Sequence, residues 1–189
     1  MTPIKLVILD RDGTINEDSD DFIKSPDEWK PLPGALEAVA RLNHAGWHTV
    51  VVSNQSGLGR GLFEVADLNA IHAKMHQLLA AVGGRIDAVF YCPHTPDEAC
   101  QCRKPAAGLF EQIADRYGLD LKSVPVVGDS ARDLVAGVAA GCEPHLVLTG
   151  KGAVYRGRAL SDAFPPHTQV HENLSAFVDA LLSREEQQT

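Results

Sequence analysis

The sequence predicts an α/β domain, a doubly wound parallel sheet of about five strands covered on both faces by helices. Short β-rich apolar runs alternate with stretches of helical periodicity, and glycines 46, 83, 118 and 141 fall where helix C-terminal caps belong. The first apolar run, Lys5–Leu9, ends in two carboxylates one residue apart, Asp10 and Asp12. Apolar strands favour burial and carboxylates do not, so the polar chemistry belongs where strands leave the sheet.

The expected strands are Lys5–Leu9, His48–Ser53, Ile86–Tyr91, Val124–Gly128 and His145–Leu148. Between them the periodicity predicts helices over Ala35–Ala45, Glu64–Val82, Gly108–Tyr117 and Arg132–Ala140. Leu174–Leu182 reads as a closing helix with Asn173 as its N-cap. Residues 150–167 form a long connection, marked as irregular by Pro165-Pro166. The expected division is one domain over residues 1–183, with a metal-binding loop at 92–102, and a polar tail over 184–189 that frays.

The 189 residues suffice for a proper core, and 44% hydrophobic content with sparse aromatics fits a soluble α/β protein. No apolar run approaches a membrane span and no signal-peptide pattern opens the chain, so a cytoplasmic location is expected, with no membrane partner. A formal net charge of −8 argues against nonspecific nucleic-acid binding. An anionic ligand therefore needs locally built positive charge, from a metal ion or a few Lys and Arg. Oligomeric state is open, and a monomer is compatible with the sequence.

Four polar clusters lie at expected strand ends or helix starts: Asp10 and Asp12; Ser53-Asn54-Gln55; Arg103-Lys104-Pro105; and Gly128-Asp129-Ser130 with Asp133. In a doubly wound sheet these ends converge on one crevice. Charge counting for a phosphate monoester dianion then assigns roles. Asp10 as nucleophile must be ionised, and Mg²⁺ held by Asp10 and Asp129 would offset the repulsion between two anions. Lys104 supplies a point charge and the Ser53 hydroxyl a hydrogen bond to the transferring oxygens. Asp12 is expected to stay protonated, donate to the leaving alcohol and then accept the proton of the attacking water. With the dianion, two ionised aspartates, Mg²⁺ and Lys104, the site sums to about −1.

A second cluster, Cys92-Pro93-His94 with Cys100-Gln101-Cys102, directly precedes Arg103. A Cys₃His set fits tetrahedral Zn²⁺, and four protein ligands leave no open position, so this metal is expected to be structural. Reduced thiols or a Cys92–Cys102 disulfide are the alternatives. Cys142, beside a helix cap, reads as a small buried residue.

The order Asp10-x-Asp12-Gly13-Thr14, a strand-end Ser53, Lys104-Pro105 and Gly128-Asp129-x-x-x-Asp133 resembles the haloacid-dehalogenase-like phosphatases over nearly the whole chain. The resemblance implies a Rossmann-like fold, an aspartyl-phosphate on Asp10 and acid–base work by Asp12. It also implies Mg²⁺ bound by Asp10, Asp129 and the backbone carbonyl of Asp12. The Cys/His loop joined to Cys102-Arg103-Lys104-Pro105 is similar to two groups within that superfamily, the D-glycero-D-manno-heptose 1,7-bisphosphate phosphatases and the histidinol-phosphate phosphatases. Ser53–Gly57, Arg60-Gly61 and Leu148–Lys151 resemble the first group, and the short gap inside the Cys/His loop resembles the second. Substrate-side residues outweigh loop length, because a loop shortens without touching the chemistry. The expected reaction is thus release of the C7 phosphate of the heptose bisphosphate, for surface-glycan precursor synthesis, with histidinol phosphate as the alternative substrate. By resemblance, Asp18, Ser19, Asp20 and Asp21, together with Ser53, Asn54, Gln55 and Ser56, would contact the small-molecule sugar phosphate, and Arg103 would help recognise it. Arg60 and Arg103 suit a remote phosphate, since a guanidinium fork matches that anion.

Gly57-Leu58-Gly59-Arg60-Gly61 lacks the third glycine of a dinucleotide fingerprint and no GKS/T follows, so it reads as a substrate-facing loop. His72 and His76 share one expected helix face without an accompanying acid or Cys, which reads as a partly exposed surface. Only residues 13–33 separate Asp12 from Gly34, too few for a separate cap domain, so the crevice should be open. An open site keeps a nucleic-acid-end phosphatase as a rival. A phospho-accepting receiver-like module is the rival of another class, although receivers lack the Asp12-Gly13-Thr14 arrangement.

Overall fold

The structure, a computed structural model, describes residues 4–188. Among these, one parallel sheet contains β1 (Leu6–Leu9), β2 (His48–Asn54), β3 (Ala88–Cys92), β4 (Pro125–Gly128), β5 (Glu143–Val147) and β6 (Gln169–His171). The order across the sheet is β3-β2-β1-β4-β5-β6. The sheet thus has six strands where about five were expected. The sixth, Gln169–His171, pairs with β5 through His145↔Gln169 and Val147↔His171. It is short, and Gln169 and Val170 are exposed, so no apolar pattern marks it in the sequence.

Alternation along β1 divides the core. Val7 and Leu9 join the cluster under α1 (Ala35–His44), α3 (Val65–Ala81) and α6 (Leu174–Gln188). Leu6 and Ile8 face the opposite cluster, under α4 (Gly108–Tyr117) and α5 (Ala131–Ala139). Leu68, Ile71, Met75 and Leu79 give α3 its buried stripe. A four-residue α2 (Ser56–Gly59) follows β2 directly.

Asn173 caps α6 as expected, its side-chain oxygen accepting from the Ala176 N–H at 2.9 Å. The helix does not end at Leu182, however, and its described part runs to Gln188 through the segment expected to fray. Tertiary partners hold that last stretch: Arg184 pairs with Glu143 at 2.9 Å, and Glu185 pairs with Lys5 at 2.8 Å and accepts from the Trp47 indole at 3.0 Å. None of the helices among the described residues is long and apolar enough to cross a membrane.

The chain runs outward from β1 in both directions across the sheet, so strand order reverses between β1 and β4. Leu9 pairs with Val51 on one side and Val127 on the other. A crevice must open beyond the carboxyl ends of these strands, because their connections leave to opposite faces.

Candidate active site

The crevice has a volume of about 260 Å³ and is lined by side chains from both halves of the chain. Asp10 follows β1, and its N–H donates to the Val127 carbonyl at 2.9 Å, which fixes the acid between the two central strands. Lys104 reaches it from the loop before α4. The ammonium is buried, 2.8 Å from Asp10 and 2.6 Å from Asp133, and donates to the Val52 carbonyl at 2.8 Å. Asn54 holds that loop with a two-way clamp, its amide donating to the Lys104 carbonyl and accepting from the Lys104 N–H, both at 3.0 Å.

Asp10, Asp129 and Asp133 bring carboxylate oxygens within 4.8 Å of one another. Burial, then the Asp133 charge, pushes the Asp10 carboxyl up to about 7, against the pull of Lys104. Burial and the charges of Asp10 and Asp133 push Asp129 up to about 9. Burial also opposes the Asp133 charge, but Lys104 and Ser130 outweigh it and hold that carboxyl below the usual range. Burial lowers and both acids raise the Lys104 ammonium, which ends above its ordinary value and stays charged. Acids crowded in this way, with one shared ammonium, are a donor set that fits a hard divalent cation.

The backbone is moulded to Asp129. Gly13 has φ +85°, and a Cβ there would lie 2.0 Å from Asp129 Oδ2. The Lys151 N–H donates to the same oxygen at 2.8 Å, and the Thr149 hydroxyl donates to the Gly13 carbonyl at 2.6 Å. Asp133 also caps α5, accepting from the Ser130 N–H at 3.1 Å and its hydroxyl at 2.8 Å.

Asp12 departs from expectation. Its carboxylate receives Arg11 Nε at 2.8 Å, Arg11 Nη2 at 3.0 Å, Asn16 at 2.9 Å and Gln55 at 3.2 Å. Burial alone would raise it, but the Arg11 charge and these donors prevail and hold it below the usual carboxylate range. The resting side chain is ionised, not protonated as the charge count required.

The crevice brings together Asp10, Asp12, Asp18, Ser19, Asp20, Ser53, Asn54, Gln55, Ser56, Arg60, Arg103, Lys104 and Asp129. Asp21 is not among its lining residues and faces an adjoining groove with Lys24 and Lys30. Asp18 forms an ion pair with Lys151 across the mouth. Gln55 donates to Ser53 Oγ at 2.7 Å and thereby links Ser53 to Asp12. Asp133 is a third acid beside Asp10 and Asp129, beyond the two ionised aspartates of the expected charge balance, and Ser130-x-x-Asp133 forms a capping box. Arg132 and Lys151 also line the crevice and add positive charge beside the acids.

The Cys/His loop closes on itself. Cys92 Sγ lies 3.0 Å from Cys102 Sγ and 3.6 Å from Cys100 Sγ, and His94 Nδ1 lies 3.4 Å from Cys92 and 3.2 Å from Cys102. All three thiols are free, with no Cys92–Cys102 disulfide. Burial pushes Cys92 up to about 12, whereas at Cys100 the backbone N–H groups of Arg103 and Cys102 outweigh burial and hold the thiol down to about 6. Four convergent soft donors, one of them favoured as thiolate, suit Zn²⁺. Cys92 ends β3 and Cys102 stands two residues before Lys104, so this cluster ties the sheet to the lysine loop.

Acids and a buried lysine at the switch point of a parallel sheet, with cations around the mouth, define a phosphohydrolase of the haloacid-dehalogenase type. The HAD-hydrolase-like family model matches residues 101–177. The D-glycero-beta-D-manno-heptose-1,7-bisphosphate 7-phosphatase of Bordetella bronchiseptica is 56% identical over 95% of this chain and 98% of that one. The Pseudomonas aeruginosa protein of the same name is 49% identical over 94% and 97%. The crystal structure of the B. bronchiseptica D,D-heptose 1,7-bisphosphate phosphatase complexed with magnesium and phosphate superposes with a TM-score of 0.91, at 55% identity, covering 96% of this chain and 99% of that one. The chain belongs to the haloacid-dehalogenase-like hydrolases and, within them, to the heptose-1,7-bisphosphate 7-phosphatase family.

Proposed function

We propose that the protein removes the C7 phosphate of D-glycero-β-D-manno-heptose 1,7-bisphosphate, leaving heptose 1-phosphate. The observation that carries the chemistry is Asp10, aimed into the crevice and held by a buried Lys104 at 2.8 Å. The relatives' names support the substrate. Residues 1–183 are read as one catalytic unit, with the 92–102 loop as its metal clamp.

Asp10 and Asp129, with the backbone carbonyl of Asp12, would hold Mg²⁺, and Cys92, His94, Cys100 and Cys102 would hold Zn²⁺. When bound, Mg²⁺ supplies the charge that keeps Asp10 and Asp129 ionised and offsets the repulsion of an incoming dianion. The Asp10 carboxylate oxygen attacks phosphorus, forming an aspartyl-phosphate as the bond to the sugar oxygen breaks. Lys104 and Ser53 stabilise the transferring oxygens. Asp12 turns from Arg11 toward the leaving oxygen, where the dianion's charge raises its carboxyl, so that it takes up a proton from solvent and passes it to the departing alkoxide. Water then attacks phosphorus, Asp12 takes its proton, and the Asp10–phosphate bond breaks to release inorganic phosphate. Arg60 and Arg103 on the crevice wall suit the remaining C1 phosphate.

Steady-state kinetics on heptose 1,7-bisphosphate and histidinol phosphate with Mg²⁺ test this reading. The expected result is a higher kcat/KM for the heptose bisphosphate, with phosphate released from C7. A higher kcat/KM for histidinol phosphate overturns it.

A further inference from the structure

His72 lies within α3, on a helix face that the sequence pattern marks as partly exposed. It is buried, and its Nε2 lies 3.1 Å from Arg11 Nη1. Arg11 is itself fully buried between Asp10 and Asp12. Two of its nitrogens, Nε and Nη2, grip the two oxygens of Asp12 at 2.8 and 3.0 Å, and the third meets His72. A guanidinium has no acceptor, so His72 Nε2 must accept, which places the ring proton on Nδ1 in a neutral imidazole. The neutral form is the one burial favours here, with the Arg11 charge acting in the same direction.

The contact joins the loop after β1 to helix α3. Ile71 and Met75 flank His72 in the α3 stripe and are fully buried in the core. Arg11 belongs to the loop that carries both proposed reacting acids. A bidentate arginine defines the position of a carboxylate only if the guanidinium plane is itself fixed. His72 fixes that plane from the side opposite Asp12.

We infer that His72 is a positioning residue for Asp12, acting through Arg11: it holds the guanidinium from which the Asp12 carboxylate moves to the leaving oxygen. The inference rests on the reading of Asp12 as the acid–base group. Without His72, Arg11 loses its anchor and Asp12 starts from a spread of positions, so proton delivery suffers while the Asp10 nucleophile keeps Lys104.

A leaving-group series separates this from a packing role, using the full chain with Mg²⁺ on p-nitrophenyl phosphate and phenyl phosphate. The first leaving group departs without help from an acid, and the second needs a proton. His72→Leu, and His72→Asn, which stays polar but does not reach Arg11, are expected to lower kcat/KM on phenyl phosphate by about tenfold or more; kcat/KM covers the steps up to departure of the alcohol and leaves out the later attack of water, in which Asp12 acts as base. In kcat/KM on p-nitrophenyl phosphate the same variants stay within about twofold of wild type. His72→Gln, whose side-chain oxygen can take the place of Nε2, restores the wild-type ratio. Asp12→Asn is the control and is expected to steepen the same dependence further. If Asp12→Asn steepens it and the His72 variants lose equally on both esters, or lose nothing, His72 is packing and the inference is overturned while the acid–base reading stands. If Asp12→Asn leaves the dependence unchanged, the acid–base reading falls and the inference falls with it.

Discussion

Lys104→Met tests the electrostatics of the crevice most directly. Methionine keeps the stem and removes the charge, leaving Asp10, Asp133 and the Val52 carbonyl facing an apolar tip. At the observed 2.8 Å to Asp10, each ion pair is worth about 6 kcal/mol gross at an effective dielectric near 20. Desolvating the ammonium costs several kcal/mol of that. Removing one partner from such a buried cluster leaves uncompensated charge and is expected to cost about 3–5 kcal/mol. Lys104 holds the Asp133 carboxyl below the usual range, so in wild type its contribution is complete at about pH 5 and at about pH 8 alike, and the pH dependence in that window comes from the variant's unpaired acids. A depressed folded value contributes stability that is present above the unfolded value and lost as pH falls through the folded one. In the variant that contribution vanishes, and both buried acids can relieve their repulsion by taking up protons. The gap between wild type and variant should therefore be wider at about pH 8 than at about pH 5. Urea unfolding without added Mg²⁺, followed by the fluorescence of buried Trp29 and Trp47, measures both. A loss below about 1 kcal/mol, or one equal at the two pH values, would refute the reasoning.

Four further outcomes are expected. Gly13→Ala places a methyl group 2.0 Å from Asp129 Oδ2 at φ +85°, so activity should fall by about a hundredfold or more, with Mg²⁺ affinity falling alongside; wild-type Mg²⁺ titration curves would contradict this. Because Asp10 and Asp129 are pushed up to about 7 and about 9, Mg²⁺ should displace about two protons at about pH 6 and about one at about pH 8, read by calorimetry in buffers of different ionisation enthalpy. Raised carboxyls favour the fold at low pH and lose that contribution as pH rises through the folded values, so the metal-free protein should unfold more easily at about pH 9 than at about pH 6, with Mg²⁺ narrowing the difference. Cys102→Ser should release stoichiometric Zn²⁺ by elemental analysis and lower kcat through the loop that carries Lys104; full zinc retention would show that the four donors do not act together.

The βα alternation and the strand-end acids were legible because buried parallel strands and helix caps impose residue types at fixed places. β6 was not, since a three-residue edge strand with Gln169 and Val170 exposed takes its place from pairing with β5 rather than from an apolar pattern. The tail beyond Leu182 looked too polar to order, and only tertiary partners, Lys5, Trp47 and Glu143, make it helical. At the site, residue types marked Asp10, Lys104 and Asp129 correctly as neighbours. Protonation states were not legible. Whether Asp12 is ionised depends on Arg11 folding back onto its neighbour and on Gln55 arriving from β2, neither of which spacing encodes. The contact of His72 is not legible for the same reason: its partner, Arg11, is distant in sequence.

The central position of β1 has a consequence for dividing the chain. Its two edges are covered by strands from opposite halves of the sequence, β2 on one side and β4 on the other. A fragment ending in the turn before β4 would hold Asp10 and Lys104 yet leave the most apolar strand with a bare hydrogen-bonding edge, a template for self-association. Cutting this protein into complementary halves should therefore yield an insoluble N-terminal piece unless the C-terminal piece is made alongside it.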